Sequence, residues 1–241
     1  MGSFVSPKAV PQLADTEEVL KGLTVPDGAD LLCIIANERG LERALNAPNV
    51  TSVGYPLSVN ETFQQRNTNR SLEDSWPLVE TIAKGAAAGD LQFVIYLSMG
   101  FGNPYGEHWE PSHTAEAVER LRNLEVEHIA LADTVGNATP ELIKMVLAAV
   151  PQTENLGLHL HARPDSWQGQ LETALNFGLS WFEGALAGIG GCPFATDELV
   201  GNLPSEQVLR WLEARTKTSI VPDEVLKRLS QDAAQLATQY H

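Results

Sequence analysis

Six short apolar runs rich in β-formers alternate along this chain with longer amphipathic stretches, and that rhythm constrains its fold more than any other feature. Strands that recur once per βα unit build a parallel sheet, because a crossover helix must carry the chain back before the next strand can start. The runs are Leu31 to Ala36, Val50 to Tyr55, Leu91 to Ser98, His128 to Asp133, Leu156 to Ala162 and Trp181 to Gly188, and Ser3-Phe4-Val5 reads as the tail of another. Helix starts are marked locally. Ser71 to Asp74 has the form of a capping box, and Thr139-Pro140 sets a hydroxyl cap before a first-turn proline. Two more helices are expected near Ser205 to Arg215 and over Pro222 to Tyr240. Polar residues gather at the carboxyl ends of the strands, the face on which a (β/α)8 barrel keeps its active site. A TIM barrel therefore ranks ahead of a doubly wound open sheet, since no G-x-G-x-x-G opens a first helix. With six strands and a stub, the barrel is expected to be incomplete at its N-terminal end, and residues 1–241 to form one domain with C-terminal helices.

Charge and composition narrow the partners. Sixteen Lys plus Arg against 31 Asp plus Glu leave a net charge of −15, which repels a phosphate backbone, so nucleic acid is not an expected partner. No apolar run approaches the roughly 18 to 20 residues needed to span a bilayer, so no membrane partner is expected either. Two cysteines make no disulfide framework and no signal-peptide pattern opens the chain, which leads to an expectation of a cytoplasmic protein.

The strongest local chemical signal is Leu156-Gly157-Leu158-His159-Leu160-His161. Side chains alternate along a strand, so His159 and His161 share one face and the leucines the other. Two imidazoles ~7 Å apart along a strand can converge on one metal ion, or be ordinary hydrogen-bonded histidines. Asp133, followed by Thr134-Val135-Gly136, ends its strand at the rim. It either orients an imidazole or shuttles a proton, or else accepts hydrogen bonds from the turn beneath it. Gly188-Ile189-Gly190-Gly191-Cys192-Pro193 puts three glycines before a thiol, a loop able to bring backbone close to a ligand and Cys192 to the active face. Cys33, inside Leu31 to Ile35, reads as a core thiol. Within the polar cluster Ser58 to Asn69, Asn60, Glu61 and Asn67 are candidates for binding a substrate carboxylate or ribose hydroxyl, against the plainer reading of a loop that caps the next helix. Gly100 to Gly106 is loop by chemistry, and Trp76, Trp167 and Trp181 read as packing residues.

Taken in order, Ser3 to Lys8, Ser58 to Asn69, Leu131-Ala-Asp-Thr-Val-Gly136, His159-Leu-His161, Gly190-Gly-Cys-Pro193 and Gly201-Asn202 resemble the 3-hydroxy-3-methylglutaryl-CoA lyase family over essentially the whole chain. The resemblance implies a TIM barrel that binds one Mg²⁺ or Mn²⁺ and cleaves the acyl-CoA into acetoacetate and acetyl-CoA. Carried over by position, His159, His161 and Asn202 would be metal ligands, Cys192 the loop thiol that assists proton transfer, and Asp133 a supporting acid, with His159 in the catalytic set. An acyl-CoA substrate and a homodimer follow from the same resemblance. Family members begin with a strand carrying an Arg-Asp pair, the Asp a metal ligand; here Met1-Gly2 leads straight into the end of the second strand. The expectation is thus of a chain lacking roughly the first βα unit, prone to aggregate, and weak or inactive in cleavage. After His161 comes Ala162-Arg163-Pro164-Asp165 where many members place an acid, which bears on acyl-chain specificity. The alternatives are a related aldolase or acyl-CoA condensing synthase, and a non-catalytic pseudoenzyme that keeps the scaffold.

Overall fold

The structure is a computed structural model that describes residues 2–150, 154–163, 166–191 and 200–239. Its strands are β1 (Gly2–Ser3), β2 (Leu32–Ile34), β3 (Ser52–Ser58), β4 (Gln92–Ser98), β5 (His128–Asp133), β6 (Leu156–Leu160) and β7 (Trp181–Glu183). Between and after them run α1 (Thr16–Gly22), α2 (Glu38–Leu45), α3 (Glu61–Thr68), α4 (Leu72–Ala88), α5 (Pro111–Asn123), α6 (Pro140–Ala149), α7 (Trp167–Asn176), α8 (Ser205–Thr216) and α9 (Asp223–Gln239). The strands are hydrogen-bonded in chain order, the succession of a (β/α)8 barrel, and the described residues carry seven of them. The chain divides into two compact units, Met1–Ser98 with His113–Ala130, and Met99–Ser112 with Leu131–His241.

In the first unit β1 to β4 are all parallel, and β3 pairs with β4 from Ser52↔Gln92 to Ser58↔Ser98. The expected end of β3 at Tyr55 is corrected to Ser58. Pro56-Leu57-Ser58 looks like a turn by composition, but Val53, Tyr55 and Leu57 are all fully buried on one face, so the apolar alternation continues past the proline. On the opposite face Gly54 is needed, because a Cβ there would run into the side chains of Tyr96 and Ile34. Caps are where the sequence put them: Ser71 Oγ accepts from the Asp74 N–H at 3.1 Å and donates to its carboxylate at 2.7 Å. Leu41 of α2 packs on Gly85 of α4, where a Cβ would meet the Leu41 Cδ2 methyl and push that side chain aside. Cys33 is fully buried, which pushes its thiol above the ordinary range, as a core residue requires. Trp76 packs beneath the Arg120 guanidinium at 4.1 Å.

In the second unit β6 and β7 are parallel, and α6 and α7 pack together with Pro140 against Gly169. Thr139 Oγ1 accepts from the Leu142 N–H at 3.2 Å, with Pro140 in the first helical turn, as the sequence predicts. Leu156, Leu158 and Leu160 are buried, so β6 alternates as expected, and Trp167 is buried with its ring edge-on to Trp211. The expected strand from Trp181 to Gly188 is shorter: β7 ends at Glu183. Ala187 and Gly188 take φ values of 56° and 64°, and that left-handed backbone turns the chain into a short 3-10 segment at Leu186–Gly188. The stub at the start is Gly2–Ser3, with the Phe4 N–H still bonded to the Ile34 carbonyl at 2.8 Å.

Candidate metal and active site

The carboxyl ends of β5 and β6, the loop after β7 and the segment 200–204 meet within the second unit. His159 and His161 project from the same face of β6, their rings edge-to-face with centroids 5.3 Å apart and planes at 83°. His161 is 7% exposed, and its Nδ1 is buried without a hydrogen-bond partner. Burial, and then the neighbouring His159, hold its pKa below the usual imidazole range, against a smaller upward effect of the Val200 and Gly201 backbone. A neutral ring with an unused buried nitrogen results, and neutral imidazole is the form that binds a metal.

Asn202 reaches the same place from the far side of the glycine loop. It forms an isolated antiparallel bridge with His161, the Ala162 N–H bonds to the Gly201 carbonyl at 2.9 Å, and the Asn202 N–H bonds to that of Gly188 at 3.0 Å. Its side-chain Nδ2 donates to the Ile189 carbonyl at 2.9 Å, which holds the amide plane and turns Oδ1 the other way. Gly190, at φ 124°, lies against that amide, and any Cβ would collide with Nδ2. The glycines thus let the loop close onto Asn202. The three residues expected as ligands are therefore neighbours, two nitrogens and an amide oxygen, a donor set that suits a hard or borderline divalent ion. Among the described residues no three of His, Cys, Asp and Glu make a metal cluster by themselves. Cys192 lies outside the described residues.

Asp133 is 1% exposed, and both oxygens serve the turn that follows: Oδ1 accepts from the Asn137 N–H at 2.8 Å, Oδ2 from the Ala138 N–H at 3.0 Å. Burial raises its pKa to about 6, against the lowering effect of those bonds and of His159. The turn-holding role that the sequence allowed is the one seen; the carboxylate bonded to an imidazole belongs to another residue, which sequence reasoning missed. Glu183 sits opposite His159 in the β6–β7 register, and its Oε2 meets His159 Nδ1 at 2.8 Å. The available signal was an acid on the third residue of an otherwise apolar strand.

The expected substrate cluster lies in the first unit and is built as a cap. Asn60 is buried and its Oδ1 accepts from the Phe63 N–H at 2.8 Å, the N-cap bond of α3, while Ser58 Oγ accepts from the Asn60 N–H at 2.9 Å. Glu61 accepts from the Leu72 N–H at 2.9 Å and so ties α3 to the start of α4. Asn67 is half-buried on α3.

The HMGL-like family matches residues 6–233. The mitochondrial hydroxymethylglutaryl-CoA lyase of Pongo abelii is 35% identical over 214 residues, 88% of this chain and 65% of that protein, so the chain spans about two thirds of the length of such relatives. The crystal structure of hydroxymethylglutaryl-CoA lyase from Pseudomonas aeruginosa superposes with a TM-score of 0.89 at 30% identity, covering 98% of this chain and 79% of that one. An HMG-CoA lyase from Acinetobacter baumannii, solved in complex with coenzyme A and 3-methylmalate, gives a TM-score of 0.88 at 30% identity, over 98% of this chain and 77% of that one. With a match over nearly its whole length and the same parallel architecture, the chain belongs to the HMGL-like family.

Proposed function

We propose that this chain carries the metal site of a carbon–carbon lyase for 3-hydroxy-3-methylglutaryl-CoA, with Mg²⁺ or Mn²⁺ held by His159, His161 and Asn202. The observation that carries the reading is the adjacency of these three residues, with the His159 and His161 rings in edge-to-face contact, Asn202 bridged to His161, and His161 Nδ1 buried and without a hydrogen-bond partner. Leaving such a nitrogen unsatisfied costs about 1–3 kcal/mol, which a metal–nitrogen bond would remove. When bound, a divalent ion supplies Lewis-acid polarisation of the substrate's hydroxyl and carboxylate oxygens.

The chain's own groups have separate tasks. The buried ring of His161 and the half-buried ring of His159 offer nitrogen donors, and the Ile189 carbonyl holds the Asn202 amide so that its oxygen is the donor atom. In the reaction the C3 hydroxyl gives its proton to a water molecule acting as base and the C2–C3 bond breaks. C3 becomes the ketone of acetoacetate, and the electron pair passes to the thioester enolate, whose carbon is protonated to give acetyl-CoA. Cys192 Sγ–H is the proposed donor of that last proton, and a reducing compartment such as the cytoplasm would keep it a free thiol. Asp133 is proposed as a supporting acid that fixes the turn beside the site, as a carboxyl protonatable near neutrality. An acyl-CoA partner is supported by the Acinetobacter baumannii relative's complex with coenzyme A.

Product analysis by mass spectrometry tests the reading. Incubation with 3-hydroxy-3-methylglutaryl-CoA and Mn²⁺ is expected to release acetoacetate and acetyl-CoA in equal amounts, slowly, and EDTA to stop it. Cleavage that persists in EDTA, or a folded chain that binds no Mn²⁺, refutes it; turnover of other hydroxyacyl substrates instead points to an aldolase or synthase.

A further inference from the structure

The pairing of β6 with β7 places an acid where the metal reading has no use for one. We infer that Glu183 is a positioning residue: by accepting the Nδ1–H of His159 it fixes that ring's tautomer and orientation, so that the Nε2 lone pair is the one presented to a cation. The inference rests on the metal reading of His159 but adds a residue to it.

Three observations support the assignment. The contact is short, 2.8 Å from His159 Nδ1 to Glu183 Oε2, the length of a charge-assisted hydrogen bond. Both groups are half-buried, His159 29% and Glu183 27% exposed, so the acid is not a solvated surface charge. The register that brings them together is locked two residues earlier: Gly157 pairs with Trp181, and the indole lies where a Cβ of residue 157 would be. A slip by one residue would send Glu183 to the other face, and the stacked indole opposes it. Asp133, the nearer acid by sequence logic, has both oxygens engaged by backbone N–H groups. The edge-on ring of His161 then limits rotation of the His159 ring from the other side. A carboxylate that takes one ring proton fixes which nitrogen keeps its lone pair, and losing such a partner weakens metal binding about 10- to 100-fold.

The test compares wild type, E183A and E183Q. Long-range ¹H–¹⁵N spectra of the metal-free chain report the His159 tautomer, Mn²⁺ titration calorimetry reports affinity, and circular dichroism checks the fold. Wild type is expected to carry the proton on Nδ1. E183A is expected to lose that preference and to raise the Mn²⁺ Kd about 10- to 100-fold with secondary structure intact. E183Q, whose amide oxygen still accepts, should keep most of both. An unchanged tautomer and affinity in folded E183A overturn the inference, as does a wild-type ring protonated on Nε2. Should E183A not fold, E183D withdraws the carboxylate by one methylene and is read the same way. If wild type binds no Mn²⁺, the metal reading fails, and the spectra alone decide whether Glu183 sets the ring.

Discussion

Replacing Asp133 by Asn separates what burial does to this carboxyl from what its hydrogen bonds do. Burial raises the folded-state pKa from 3.8 to about 6. A folded pKa above the unfolded one means that the native state keeps the proton longer. The native state is therefore unpenalised below about pH 4 and loses stability as pH rises through 6. At about 1.4 kcal/mol per tenfold change in proton affinity, ionised Asp133 costs the fold about 3 kcal/mol by pH 8. Asn cannot ionise, so D133N escapes that cost. It has its own: one of the two oxygens that accept from Asn137 and Ala138 becomes an NH₂ facing an N–H, a loss of about 1–3 kcal/mol. At pH 4 the variant should be the less stable by that loss, and by pH 8 the difference should have moved about 3 kcal/mol in the variant's favour, leaving it between parity and about 2 kcal/mol more stable than wild type. Urea unfolding followed by circular dichroism at pH steps from 4 to 8 measures the gap, and groups unaffected by the substitution cancel in the difference. A gap that stays constant, or widens with pH, would refute the burial argument.

Asn60→Ala should lower stability by about 1 kcal/mol through loss of the α3 cap, read as a fall in Tm. A raised KM for the acyl-CoA with Tm unchanged would instead support Asn60 as a substrate-binding residue. Gly190→Ala puts a methyl into the Asn202 amide at a φ of 124°, so both Tm and Mn²⁺ affinity should fall. A variant with wild-type Mn²⁺ affinity would show that the loop does not set the Asn202 donor. His161→Ala removes a proposed ligand itself, and the calorimetric Mn²⁺ Kd should rise by more than the roughly 100-fold upper cost of losing an outer-shell partner. Undiminished affinity would leave the proposed ligand set untenable.

Much of the scaffold was legible because its signals act over a few residues. Ser71 and Thr139 cap their helices because a hydroxyl reaches an N–H three residues on, and the H-x-H pair shares a face because strand side chains alternate. The misjudged ends have local causes too. Pro56 disguised a strand that its buried alternation extends to Ser58, and the left-handed Ala187 and Gly188 cut β7 short.

By itself, then, the sequence determined the βα rhythm, the caps, the paired imidazoles, the core placement of Cys33 and the family motifs. Tertiary structure alone decided that Glu183 stands opposite His159, that Asn202 bridges to His161, and that Asp133 and Asn60 spend their oxygens on nearby backbone. The physical reason is that a side chain's inherent chemistry offers several partners, whereas strand register and loop closure, set by packing between residues far apart in the chain, choose which partner comes within bonding distance.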